Sequence, residues 1–144
     1  MIVIGADHGG FELKEKVKKK LDDLGFEYED IGPYKMDPND DYPKFAERVG
    51  RDISEHDDWK GILICRSGQG MAMVANKFSG VRAAVCHSVE ETKKTREHND
   101  ANVLCLGADD VKEEEIMKMV EVFLETPAEK EERHRRRVEQ INKL

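Results

Sequence analysis

The run GILICRSGQGMAMVANK, residues 61–77, carries the densest chemistry in the chain. An apolar stretch ends on a thiol, Cys65, followed by a cation, Arg66, and a hydroxyl, Ser67; Gly68 and Gly70 then flank Gln69 before a helical pattern resumes. A strand that breaks into a glycine turn before a helix leaves backbone N–H groups free to receive an oxyanion or a phosphate. The helix start and Arg66 both favour a thiolate at Cys65. The spacing lacks the third glycine of a dinucleotide fingerprint and the Gly-Lys-Ser/Thr ending of a P-loop. Read from its residues alone, the turn is an anion loop with a thiol at its mouth, and that thiol is either a reagent or packing.

Short β-rich runs alternate with helical ones along the whole chain, and these must position the turn. MIVIGA reads as a buried strand, FELKEKVKKKLDDL as an amphipathic helix stopped by Gly25, and FEYEDIG as a half-buried strand. After the loop PYKMDPNDD, a helix runs through DYPKFAERVGRDISEH with Pro43 tolerated near its start. GILIC, VRAAVC and NVLCLG are three further strands, separated by a short helix in GMAMVANKF and by SVEETKKTREHN, for which Ser88 is the expected N-cap. Two helices follow, VKEEEIMKMVEVFLETP and the tail AEKEERHRRRVEQINKL. Five strands alternating with helices predict an α/β fold with a parallel sheet covered on both faces and right-handed crossovers.

In such sheets ligands bind beyond the carboxyl ends of the strands. Those ends carry Asp7, His8, Gly9 and Gly10; then Cys65 to Gly70; then Cys86 and His87; then Gly107 to Asp110. His98, Asn99 and Asp100 lie between a helix and the last strand, where Asn99 is the expected helix C-cap. That turn belongs to the opposite edge, so reaching the site requires a second copy of the chain. In the tail, Arg133 and Arg137 share a helix face and can clamp one anion, and His134, Val138 and Ile141 form an adjoining stripe able to dock the helix on another surface. The cysteines and histidines show no CxxC or HxxxH spacing, so no metal site is expected from them.

The 144 residues fit one domain, 1–144. Charged and apolar residues each make up 38% and the formal net charge is −7, which argues against broad nucleic-acid binding. No apolar run approaches the roughly 20 residues of a membrane span. The start, MIVIGADHGG, carries no recognisable leader, and three cysteines without close pairs fit reduced thiols, so a cytoplasmic protein is expected.

With these motifs in this order, the chain resembles the ribose-5-phosphate isomerase B family, which includes the galactose-6-phosphate isomerase subunits. The likeness is carried nearly end to end by GADHGGFELKEKV, DYPKFA, GILICRSGQGMAMVANKFSGVRAAVC, TREHNDANVL and ERHRRRVEQI. It implies a Rossmann-like α/β/α sandwich with a five-stranded parallel sheet, assembled as a homodimer or dimer of dimers with shared sites, the C-terminal helix docking on a partner subunit. It implies aldose–ketose isomerisation of a sugar phosphate through an enediolate, without metal or cofactor, most simply ribose 5-phosphate to ribulose 5-phosphate in the pentose phosphate pathway. Transferred by motif, Cys65 is the base, and Ser67 with the amides of Gly68, Gln69 and Gly70 stabilises the enediolate. Asp7 and His98 of the partner subunit open the sugar ring. His8 and the partner's Arg133 and Arg137, with His134 beside them, hold the phosphate, and Tyr42 and Asn99 line the sugar. Relatives that lack the cysteine use a glutamate just after the glycine turn; that position is Met71 in this chain.

The chain departs from the family pattern in three places. Relatives usually carry glycine at Arg66, often arginine at Asp109, and often Gly-Gly at Glu131-Glu132. Arg66 is therefore expected in the substrate site, replacing the lost cation or pairing with Asp109; the plain alternative is that it points to solvent. Three other functions remain open at this point: an isomerase of allose or galactose 6-phosphate, a non-catalytic subunit of a hetero-oligomer, and a redox-responsive thiol protein.

Overall fold

The computed structural model describes residues 1–144. Five strands, β1 (Ile2–Ala6), β2 (Tyr28–Asp30), β3 (Lys60–Cys65), β4 (Ala83–Val85) and β5 (Val103–Gly107), form one parallel sheet in the order β2-β1-β3-β5-β4. Six helices accompany them: α1 (Phe11–Leu24), α2 (Tyr42–Glu55), α3 (Gln69–Ala75), α4 (Val89–Asn99), α5 (Glu113–Glu125) and α6 (Glu132–Asn142). The α/β/α sandwich expected from the alternation of strands and helices is the one observed.

Strand alternation divides the interior into two cores, because successive side chains leave opposite faces. Ile2, Ile4, Ala6, Ile62, Ile64, Leu104 and Leu106 pack beneath α1 and α5 with Val17, Leu21, Met119 and Phe123. Val3, Leu63, Cys65, Val103 and Cys105 pack beneath α2 and α3 with Phe45, Val49, Ile53 and Met71. Cys65 and Cys105 therefore share one face, whereas Cys86 lies in the other core. The register places Ile4 beside Ile62 and Ile62 beside Leu104, so the central strands are buried on both faces.

The edge strands are shorter than their patterns. β2 and β4 hold three residues each, against the seven of FEYEDIG and six of VRAAVC. Each pairs with one neighbour only.

Helix ends follow local chemistry. Gly25 caps α1 with φ 77°, and the Ser88 hydroxyl accepts the N–H of Glu91 at the start of α4. The C-cap of α4 corrects the expectation for Asn99. Asn99 is the last helical residue, and Asp100 takes the left-handed position with φ 46°. Arg96 and Arg82 both reach the Asp100 carboxylate, which holds the chain in that conformation.

Candidate active site

The topology creates the site. From β1 the chain runs to β2 on one side, then returns past β1 to β3 on the other. The crevice between the carboxyl ends of β1 and β3 is the switch point where such sheets bind ligands. The Asp7–Gly10 turn and the Arg66–Gly70 loop meet there. The N–H of Asp7 donates to the Ile64 carbonyl, and the Arg66 stem lies so close to Gly9 that a β-carbon on Gly9 would fall 2.6 Å from Arg66 Cγ.

The loop after β3 is held from beneath by β5. Ala108 and Asp109 donate their N–H groups to the carbonyls of Cys65 and Arg66 at 2.9 and 3.0 Å. Gly68 sits at φ 75°, a conformation that side chains rarely adopt, and a β-carbon there would fall 3.1 Å from the Leu106 carbonyl carbon and 3.2 Å from that of Cys105. This turn brings the Gly68 N–H to 3.0 Å from Cys65 Sγ, and Ser67 Oγ accepts from Gln69 N–H at 3.3 Å. Two of the amides expected to face a substrate oxygen are therefore engaged within the loop. The Gly68 amide serves the sulfur, placing a donor where charge on sulfur would accept it.

The three thiols differ in setting. Burial pushes the Cys86 thiol up to about 11, and complete burial pushes Cys105 higher still, so both stay protonated near neutrality. Cys65 is 5% exposed at the carboxyl edge, with the Gly68 donor on its sulfur. All three are free cysteines.

Around Cys65 stand the other carboxyl-edge residues. Asp7 is buried and its Oδ1 accepts the N–H groups of Gly9 and Gly10 at 2.9 and 3.2 Å. His8 bonds Asp40, which the sequence reading missed. The Tyr42 ring covers Gly70, where a β-carbon would overlap Cζ and lie 2.6 Å from the hydroxyl. Gln69 is exposed at the start of α3. Arg66 Nη1 lies 3.6 Å from Asp109 Oδ2, with both side chains more than half exposed, so the expected pairing is present as a surface contact.

His98, Asn99, Arg133, His134 and Arg137 lie elsewhere. Helix α4 runs back against the strand direction, so its C-terminus comes to the amino edge, a full strand length from Cys65 of the same chain. The His98 and His134 rings stack with centroids 4.4 Å apart and planes 2° from parallel. Glu129 Oε2 is 3.3 Å from His134 Nε2 and 3.9 Å from His98 Nε2, and Glu129 N–H is tied to the Glu97 carbonyl. His134 thereby seats α6 on α4 of its own chain, while Ile141 stays 42% exposed. Arg133 and Arg137 are exposed on α6, and Arg133 bonds Glu131 at 2.6 Å. Two trios bring metal-ligating atoms within 4.8 Å of one another, Asp7–His8–Asp40 and His98–Glu129–His134. In the first, Asp7 Oδ1 and Asp40 Oδ1 are already taken up by N–H donors.

The ribose/galactose isomerase family model matches residues 2–141. Ribose-5-phosphate isomerase B of Escherichia coli strain K12 is 37% identical over 143 residues, covering 99% of this chain and 95% of that protein. The crystal structure of ribose-5-phosphate isomerase B from Mycoplasma genitalium with bound ribulose-5-phosphate superimposes with a TM-score of 0.94 at 40% identity, covering 99% of this chain and 93% of the other. The Thermotoga maritima ribose 5-phosphate isomerase structure gives a TM-score of 0.92 at 40% identity, with 99% and 97% covered. With the family model matched over residues 2–141 and the fold shared with the Mycoplasma genitalium enzyme, the chain belongs to the ribose/galactose isomerase family.

Proposed function

We propose that this family member interconverts ribose 5-phosphate and ribulose 5-phosphate by proton transfer through an enediolate. The observation that carries the reading is the setting of Cys65: a thiol at the switch-point crevice, with the Gly68 N–H 3.0 Å from its sulfur, beside two cysteines that burial keeps protonated. The likeness to a structure holding ribulose-5-phosphate supports the choice of substrate.

In this mechanism the Cys65 thiolate removes the C2 proton of the open-chain aldose. The C2–H electron pair becomes the C1=C2 double bond, and the carbonyl pair moves to O1, giving an enediolate. A proton passes from O2 to O1, and the thiol returns its proton to C1, leaving the ketose. The proton beside a carbonyl is weakly acidic, so donors aimed at the developing oxyanion matter most, typically a few kcal/mol each. Ser67 and the Gly70 end of the loop fill this role. Asp7 and His98 of the partner subunit open the ring. His8 and the partner's Arg133 and Arg137 hold the phosphate, and Tyr42 with the partner's Asn99 lines the sugar.

The amino-edge position of His98 supports a homodimer with shared sites, since one chain alone cannot bring His98 to its own Cys65. No helix is long and apolar enough to cross a membrane. The need for a reduced thiol at Cys65 supports work in the cytoplasm. The test is incubation of the purified chain with ribose 5-phosphate, allose 6-phosphate and galactose 6-phosphate, following ketose formation with Cys65→Ala as control. Ribulose 5-phosphate from the wild type alone is expected. Turnover of a hexose 6-phosphate only would reassign the substrate, and no turnover of any sugar would overturn the reading.

A further inference from the structure

Asp40 lies in the loop between β2 and α2, far in sequence from any strand end, yet its carboxylate is pinned to the site. Oδ1 accepts both donors of one residue, the backbone N–H of His8 at 2.9 Å and His8 Nδ1 at 2.7 Å. A carboxylate oxygen has no proton to give, so Nδ1 carries the hydrogen and Nε2 is left as the outward nitrogen. The Asp40 side chain is 10% exposed, and its second oxygen, Oδ2, is buried with no hydrogen-bond partner. Interiors rarely leave such an oxygen unpaired, and each exception calls for an explanation.

The loop that carries Asp40 is itself anchored. Lys14, fully buried on α1, holds both Asp30 oxygens at 2.7 Å and the Pro33 carbonyl at 2.8 Å. Asp37 then closes a turn, accepting from Asn39 N–H at its side chain and from Asp40 N–H at its carbonyl. The loop is thus tied to α1 at its start and to the His8 ring at its end.

We infer that Asp40 is a positioning residue for the phosphate end of the site: it fixes the His8 ring with Nδ1 turned to the Asp40 carboxylate and Nε2 presented to the substrate anion. The inference rests on the isomerase reading and on the place of His8 within it. The charged groups facing His8 are Asp40, Asp7 and Arg66. The Asp40 hydrogen bond raises the His8 pKa above its ordinary value; partial burial and the Arg66 charge oppose this, and the Asp7 charge adds to it. A cationic ring donating from Nε2 suits a phosphate dianion, because charge-assisted bonds are the strong ones. By linkage, this binding is present at low pH and fades as pH rises through the raised His8 value.

The test compares wild type, Asp40→Asn and Asp40→Ala. Asparagine keeps an acceptor for both His8 donors and removes only the charge, so it decides the question even if the alanine variant fails to fold. Two readouts are used between about pH 6 and pH 9: steady-state kinetics on ribose 5-phosphate, and the His8 titration by 15N NMR of the imidazole, with and without inorganic phosphate. The expected result for Asp40→Asn is a KM raised about tenfold near pH 7.5, with kcat within about twofold. The pH at which KM climbs should move down, and the His8 titration with it. Unchanged KM and unchanged titration in Asp40→Asn would overturn the inference. A wild type without isomerase activity would sink the isomerase reading instead, while the NMR titration and its response to phosphate would still decide the role of Asp40.

Discussion

The backbone N–H of Gly68 points at the sulfur of Cys65 across 3.0 Å, in a turn whose left-handed residue only glycine fills easily. This contact separates Cys65 from Cys105, one strand away on the same face of the sheet but sealed beneath α2 and α3. The same face of the fold thus holds one thiol at the carboxyl edge with a donor on its sulfur and one thiol sealed in the core.

Removing the thiol should remove the base. Cys65→Ala is expected to lose about 10²–10⁴-fold in kcat with an unchanged circular dichroism spectrum, the usual span for a proton-transfer group. Iodoacetamide near neutral pH should label Cys65 before Cys86, whose thiol burial pushes up to about 11, or Cys105, and ribose 5-phosphate should slow that labelling. Peptide mass mapping checks both, and equal labelling of Cys86 would refute the distinction.

Mixed dimers test the shared site. Cys65→Ala and His98→Ala should each be inactive alone. Unfolded together and refolded, they should recover about a quarter of wild-type activity, because half the random dimers are mixed and each mixed dimer holds one intact site. Recovery near zero would place both residues in the same subunit's chemistry and end the dimer argument.

Gly70 lets the Tyr42 ring close over the start of α3. In Gly70→Ala the new β-carbon would overlap Tyr42 Cζ, so the ring must swing away from the crevice. An expected fall in kcat/KM of about tenfold or more follows from lost positioning. Tyr42→Ala should show a similar loss, and the double variant should add little to either. Independent, additive losses would show that the two residues do not act through one contact.

Lys14 sets the stability of the loop that carries Asp40. Lys14→Met leaves the Asp30 carboxylate short of a buried partner and should cost about 3 kcal/mol, read as a lowered Tm. Burial pushes the Asp30 carboxyl up, but hydrogen bonds from Lys14, Lys18 and Gly32 outweigh it and leave it below the ordinary carboxylate value. The stability from this depressed group is full above that ordinary value and is lost as pH falls through the lowered one. Without Lys14 the lowering shrinks, so acid unfolding should begin at a higher pH. An unshifted acid midpoint would count against the coupling.

Arg66 and Asp109 form an exposed pair at 3.6 Å, so stability should not depend on them. Arg66→Gly is expected to leave Tm nearly unchanged while altering the KM for the sugar phosphate, and Asp109→Asn should alter KM in the opposite sense by freeing the guanidinium. Unchanged KM and turnover in Arg66→Gly would leave Arg66 as a solvent residue.

The amino-acid pattern was enough for the order of strands and helices, the Ser88 cap and the glycine turn after β3, because these depend on neighbours within a few positions. It was not enough for Asp40 or Lys14. Asp40 lies in an aperiodic acidic loop and gains meaning only when the fold carries it to His8, 32 positions away. Lys14 sits in a lysine-rich helix that reads as a wet face, and only the arrival of Asp30 and Pro33 explains its burial. Sequence by itself determined the chemistry available at each strand end and the alternation that makes a parallel sheet, since both follow from local residue types and periodicity. Tertiary structure alone decided which ends meet at the crevice and that the Gly68 amide serves the sulfur, because strand order is settled by packing across the whole chain.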